Sequence, residues 1–78
     1  MLIRTMKKEI LLKFAQQVRQ ARKQLAISQE ELADRAGVHR TYIGMIERAE
    51  KNITLENIGK IVKALNIRLS DFFKDFNF

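Results

Sequence analysis

Side chains with chemical capacity are concentrated in one short run of this sequence, His39-Arg40-Thr41-Tyr42, where an imidazole, a guanidinium and two hydroxyls follow one another. These groups donate and accept hydrogen bonds, and the arginine adds a fixed charge. They do not make a reaction centre. The chain has no cysteine and a single histidine, and neither an HExxH helix nor a GxxxxGK[ST] loop occurs. A nucleophile with its base, a zinc ligand set and a nucleotide cradle are therefore all without candidates. The expectation is recognition rather than catalysis, with no enzyme activity, no metal and no cofactor.

Charge indicates what would be recognised. Lys and Arg outnumber Asp and Glu by 15 to 9, a formal net charge of +6, which favours a polyanionic partner. The excess is uneven: residues 1–27 carry seven bases against one acid, whereas residues 28–47 carry two against four. No block of like charges reads as a disordered tail, so the positive charge belongs on a folded face. Lys7, Lys8, Lys13, Arg19 and Lys23 would form it, either for solubility or in contact with phosphates. Arg4 follows Met-Leu-Ile directly, and Lys7, Lys8 and Glu9 interrupt what comes next, leaving no apolar stretch long enough for a signal peptide or a membrane span. A soluble cytoplasmic protein without a membrane partner is expected. Met6 offers a second start, which would make residues 1–5 a dispensable, frayed terminus.

The elements that must position the His39–Tyr42 run are helical. There is no proline, there are three glycines in 78 residues, and apolar residues recur at helical spacing, so the fold class is all-α in one domain spanning 1–78. Five helices fit. The first runs from about Lys7 to Gln24, with Leu11, Phe14, Ala15, Val18, Arg22 and Leu25 on one stripe. The second begins at Ser28, which with Glu31 forms a capping box, flanked by the staple pair Ile27 and Leu32, and it ends at Ala36 because Gly37 can take the left-handed conformation. The third covers roughly His39 to Arg48, although histidine is a poor N-cap. A fourth begins at Thr54 and carries Leu55, Ile58, Val62 and Leu65 inward, and a short fifth begins at Ser70 with Phe72, Phe73 and Phe76.

Two short helices joined by a tight glycine turn form a helix-turn-helix, here over about residues 28–48, whose second member fits a DNA major groove about 12 Å wide. Leu32, Ala33, Ala36, Val38, Ile43 and Ile46 fall on the inner side, and Ala33 lacks the bulk that would push the helices apart. Arg40, Thr41, Gly44 and Met45 are left outward.

The pattern S-Q-E-E-L-A-x-x-A-G-V-x-x-x-Y-I-x-x-I-E resembles the Cro and lambda-repressor-like (XRE-type) helix-turn-helix family of bacterial and phage regulators, over about residues 8–76. Within it, H-R-T-Y-I-G-M-I-E-R followed by K-N-I-T-L-E-N-I and A-L-N-I-x-L-S-D-F-F is most similar to the small controller proteins of restriction-modification systems. The resemblance implies a compact five-helix lambda-repressor-like DNA-binding domain and double-stranded DNA as partner. It assigns Gln29 to a phosphate, His39, Arg40, Thr41 and Tyr42 with Met45 to base reading, and Arg48, Lys51 and Asn52 to the backbone-clamping loop. It also implies that Arg22 of the first helix pairs with Glu47 closing the third. Two positions depart from the family: Ala49 stands where many members have glycine, so the third helix either runs on or uses Asn52 as its left-handed residue, and Gly44 sits inside the recognition helix, a hint of close approach to DNA.

Each assignment has a plainer counterpart. Arg40 either pairs bidentately with guanine O6 and N7 or contacts a phosphate, Thr41 meets a thymine methyl or a phosphate, Tyr42 reaches a phosphate or simply packs, His39 is a base reader or a solvated residue, and Gln29 is a phosphate ligand or an ordinary first-turn residue. Four phenylalanines, Phe72, Phe73, Phe76 and Phe78, crowd the last seven residues. They are expected to be divided between the monomer's core and a homodimer seam formed with Leu65, Ile67 and Leu69, in a dimerisation segment of about residues 65–78. The reading is a transcriptional regulator that binds pseudo-palindromic operators as a homodimer and controls its own promoter. A tetramer on DNA and a contact of Glu30, Glu31 and Asp34 with RNA polymerase are further expectations. With no ligand-sensing domain expected, regulation would follow protein concentration. An antitoxin-like interaction protein, with DNA binding secondary, and a phage-type repressor are the alternatives.

Overall fold

The inward-facing apolar stripe of the first segment organises the computed structural model, which describes the backbone of residues 2–77 and the side chains of residues 9–77. That segment is one helix, α1 (Leu2–Gln24), with Phe14, Ala15, Val18 and Ala21 buried. It begins five residues before the expected Lys7, since nothing upstream breaks a helix. Residues 2–5, expected to fray, form its first turn, and the expectations for Phe78 and for the side chains of Lys7 and Lys8 lie outside the described residues. Then follow α2 (Gln29–Ala36), α3 (Arg40–Glu47), α4 (Leu55–Ala64) and α5 (Leu69–Phe72), with no strand among the described residues. α2 packs on α3 and α4, α1 on α3, and α4 on α5. Val18, Leu32, Ile43, Ile46, Ile61, Val62 and Leu65 fill the centre, each 2% exposed or less.

Three of the helix starts are held by side chains. Ser28 Oγ accepts from Glu31 N–H at 3.0 Å and Thr54 Oγ1 from Asn57 N–H at 3.2 Å. His39, despite its low preference for the position, caps α3 by accepting from Thr41 N–H through Nδ1 at 3.4 Å. The capping box of α2 is only half as expected, because the described bond of the Glu31 carboxylate runs one turn on to Arg35 at 2.8 Å. α5 begins at Leu69 rather than Ser70 and has no side-chain cap, the chain entering it extended at Arg68.

Two expectations about burial are corrected. Leu55 is 76% exposed although it shares the helical face of Ile58, Val62 and Leu65: it is the first residue of α4, and the core that those residues enter does not extend to it. Leu65 and Phe72, expected in a dimer seam, are 2% and 3% exposed and lie in the monomer's own core. Phe72 packs against Phe14 at 5.3 Å and Phe73 at 5.0 Å between ring centroids, and Gln17 Nε2 donates to its carbonyl at 3.1 Å. Ile67, Phe73 and Phe76 are half-buried around this cluster, and Leu69 is exposed.

α1, α2, α3 and α4 all end in the same way. The residue after each helix's last turn is left-handed, at Ala26 (φ 56°), Gly37 (φ 70°), Ala49 (φ 58°) and Asn66 (φ 61°). The next amide returns to the helix, from Ile27 to Arg22 O, Val38 to Ala33 O, Glu50 to Met45 O and Ile67 to Val62 O. Thus Ala49, not Asn52, supplies the left-handed turn after α3, and it does so with a Cβ that this conformation disfavours by about 1–2 kcal/mol. Part of that is offset in the unfolded chain, which glycine makes more disordered. Ala49→Gly should therefore raise stability by about 0.5–1 kcal/mol, seen as a higher urea midpoint at unchanged slope. A lowered midpoint would mean that the Ala49 methyl contributes more by packing than its backbone loses.

Candidate nucleic-acid interface

Ile43 and Ile46 anchor α3 in the core, and the tight turn at Gly37, Val38 and His39 fixes where its first residue emerges. His39, Arg40 and Thr41 are consequently exposed side by side at the start of α3. Tyr42, next along, is half-buried: its ring packs on the core and its hydroxyl accepts from Asn57 Nδ2 of α4 at 3.1 Å. Met45 is half-buried one turn on, and Arg48, Lys51 and Asn52 are exposed beyond the end of the helix. Arg48 Nε donates to Glu50 Oε2 at 3.1 Å. Gly44, expected to face outward, is buried under the side chains of Gln29 and Arg48.

The expected pairing of Arg22 with Glu47 is present and is part of a larger cluster. Glu47 is 3% exposed. Its carboxylate accepts from Arg22 Nε at 2.7 Å, Arg22 Nη2 at 3.0 Å and Gln29 Nε2 at 3.1 Å, with Arg19 Nε at 3.8 Å. Arg22 Nη1 also donates to Ile27 O at 2.9 Å, and Arg19 Nη2 donates to the Glu47 carbonyl. Gln29 therefore has an internal partner that sequence reasoning missed, and so does Arg19. The spacing of Arg19 and Arg22, three apart on one helix, was the available signal for the latter. Burial pushes the Glu47 carboxyl up, but the hydrogen bonds from Arg22 and Gln29 and the charges of Arg22 and Arg19 outweigh it and hold it below the usual carboxylate range.

The expected basic face divides. Lys13 lies over the Phe76 ring, 5.5 Å from its centroid, in the aromatic cluster, while Arg19 is drawn to the end of α3. On the recognition side, Arg22, Ser28, Gln29, Glu30 and Arg40 line one shallow open depression. It brings the Arg40 guanidinium to the N-terminus of α2, where free backbone amides and the helix dipole favour an anion, while the Arg22 guanidinium is already paired with Glu47 and the Glu30 carboxylate also lines the depression. A short exposed helix start rich in hydrogen-bonding groups, beside an anion-favouring depression, has the shape and chemistry to lie on a nucleic-acid groove. Among the described residues no group of His, Asp and Glu could hold a metal ion, and no helix is long and apolar enough to cross a membrane.

Comparison with known proteins gives the same direction. The family model described as helix-turn-helix matches residues 18–72. The control protein C.SmaI of Serratia marcescens is 51% identical over 59 residues, 76% of this chain and 67% of that protein. The crystal structure of the restriction-modification controller protein C.AhdI from Aeromonas hydrophila superposes with a TM-score of 0.79 at 40% identity, over 83% of this chain and 98% of that one. The controller protein C.Esp1396I, solved as a tetramer in complex with its natural 35 base-pair operator, superposes with a TM-score of 0.79 at 33% identity, over 82% and 84% of the two chains.

The Glu47 cluster has a measurable signature. Because the carboxyl's folded value lies below its ordinary 4.5, the stability it contributes is complete above about pH 4.5 and is lost as pH falls through the folded value. Glu47→Gln should flatten the acid limb of the stability profile in that window. Glu47→Ala, which strands Arg22, should cost about 3–5 kcal/mol at neutral pH in chemical denaturation. Wild-type stability in Glu47→Ala would contradict the role given to the cluster.

Proposed function

The chain belongs to the helix-turn-helix family, where control proteins of restriction-modification systems are among its relatives, and from that premise we propose that it is a sequence-specific DNA-binding regulator acting as a homodimer on pseudo-palindromic operators. The observation that carries this reading is the exposed start of α3, with His39, Arg40 and Thr41 in one row beside the anion-favouring N-terminus of α2. Two such helices, related by a two-fold axis, enter successive major grooves about 34 Å apart. Arg40 reads a guanine through O6 and N7, Thr41 and His39 contact the flanking positions, and Met45 lies one turn further in. Tyr42, whose hydroxyl accepts from Asn57, keeps its own proton for a phosphate oxygen. Gln29 at the helix start and Arg48, Lys51 and Asn52 in the loop hold the backbone.

The segment of about residues 65–78 forms the seam between copies. Leu65 and Phe72 support it from inside, and the exposed Leu69 with the half-buried Ile67, Phe73 and Phe76 provides its surface. Gly59, Val62, Lys63, Asn66, Ile67, Arg68 and Leu69 line an open, mainly apolar groove between α4 and α5, the surface that a second copy would cover in this reading. The targets include the chain's own promoter, the protein acts in the cytoplasm, and a pair of dimers on adjacent sites gives a tetramer on DNA.

Retention of random duplex DNA by the purified protein at near-physiological salt, followed by sequencing, should yield a two-fold-symmetric motif with half-sites about one helical turn apart. Retention without sequence preference would overturn the operator reading. In the same assay Arg40→Ala should relax preference at one position in each half-site, corresponding to a loss of about 1–3 kcal/mol of discrimination; an even loss across all sequences would make Arg40 a phosphate contact. Leu69→Glu places a charge on an exposed position of the seam and should leave the fold intact while shifting micromolar sedimentation from dimer to monomer. A dimer of unchanged strength would place the seam elsewhere.

A further inference from the structure

Gly44 lies on α3 four residues from both Arg40 and Arg48, yet it is buried while they are exposed. A Cβ at residue 44 would meet Arg48 Nη1 at 3.1 Å and Gln29 Oε1 at 3.7 Å. The two covering side chains come from different elements, Gln29 opening α2 and Arg48 following the last residue of α3. Each is steadied from a second side, Gln29 by its Nε2 bond to Glu47 Oε1 and Arg48 by its Nε bond to Glu50 Oε2, both at 3.1 Å. The backbone gives no reason for glycine here, because Gly44 has ordinary helical dihedrals and glycine weakens a helix interior. What the glycine supplies is space.

We propose that Gly44 is a positioning residue for DNA binding: its bare Cα is the seat on which the Gln29 amide and the Arg48 guanidinium rest side by side, and the pair grips one phosphate of the DNA backbone, Arg48 through its guanidinium and Gln29 through the Nε2 hydrogen not used by Glu47. This rests on the DNA-reading function above. The seat brings a charged fork and an amide together beside the N-terminus of α2, where an anion is already favoured. The Arg48–Glu50 pair is about half exposed on both sides, so it is weak and screened, and a phosphate can take over the guanidinium. A methyl at residue 44 displaces Arg48 first, since its contact is the shorter and its guanidinium is the far end of a flexible side chain. The fold absorbs that shift, but the grip on the phosphate does not.

The test compares wild type, Gly44→Ala, Arg48→Ala and the double variant, each by thermal melting and by binding to the selected operator and to an unrelated duplex across a salt series. Gly44→Ala should melt at the same temperature or higher, because alanine is the better helix former. Its affinity for both duplexes should fall by the same factor, roughly three- to tenfold, and the slope of log K against log salt should become shallower by about 0.9, the loss of one phosphate contact. In the Arg48→Ala background the same substitution should add little. Unchanged affinity of Gly44→Ala in a wild type that binds DNA would overturn the proposal alone. A loss confined to the operator would overturn the phosphate assignment, and an equal loss without Arg48 would mean that Gly44 itself approaches the DNA. A wild type that binds neither duplex would overturn the underlying function and this proposal with it.

Discussion

The orientation of the recognition helix depends on one buried carboxylate. Glu47 closes α3 and accepts hydrogen bonds from Arg22 of α1 and Gln29 of α2, with Arg19 nearby, so three helices meet at one pair of oxygen atoms. Burying a charge is unfavourable by itself, and an apolar cluster of the same volume would often be as stable. What the ionic arrangement adds is direction. A methyl group packs equally well over a range of angles, whereas a carboxylate held by a guanidinium through two nearly parallel bonds fixes both position and rotation. The same contact orients Gln29, so the end of α3 and the start of α2 are set together.

Short helices make this dependence necessary. α2 and α3 have eight residues each, below the length at which an isolated helix is stable in water, and they persist only because Leu32, Ala33, Ile43 and Ile46 are packed. Their ends must also be sharp, because one more turn on α2 would carry the His39–Thr41 row away from the depression at its N-terminus. Capping by Ser28 and His39 and the left-handed exits at Gly37 and Ala49 supply those ends. Side-chain hydrogen bonding at the starts and backbone geometry at the exits thus set the ends of two helices whose stability comes from packing.

Features carried by local chemistry were legible in the sequence. Ser28 and Gly37 bounded α2 because capping and the left-handed turn involve neighbours in the chain, and the Ile43 and Ile46 positions followed from helical spacing. Features set by tertiary contact were not. Whether Gln29 turns inward to Glu47 depends on a partner eighteen residues away, and whether Gly44 faces solvent depends on where the side chains of Gln29 and Arg48 lie. Ala49 was hidden because propensity argues for glycine or asparagine in a left-handed position, and the φ of 58° at Ala49 goes against that preference. The phenylalanines could not be sorted because α5 has only four residues, too few for a helical period to separate Phe72 from Phe73.

α4 joins the two ends of the molecule. At one end Asn57 donates to the Tyr42 hydroxyl of the recognition helix, and at the other Val62, Lys63 and Asn66 border the apolar groove assigned to the second copy. Its buried face, Ile58, Ile61, Val62 and Leu65, is locked in the same core as Ile43 and Ile46, so it cannot slide relative to α3 without opening that core. In the proposed dimer, the distance and angle between the two recognition helices are then fixed through α4 rather than through a flexible tether. A rigid link of this kind makes half-site spacing part of what is recognised: a site with correct bases one base pair too far apart would be rotated by about a tenth of a helical turn out of reach of the second subunit. In the proposed dimer, specificity therefore resides in the packing of α4 as well as in the few side chains at the start of α3.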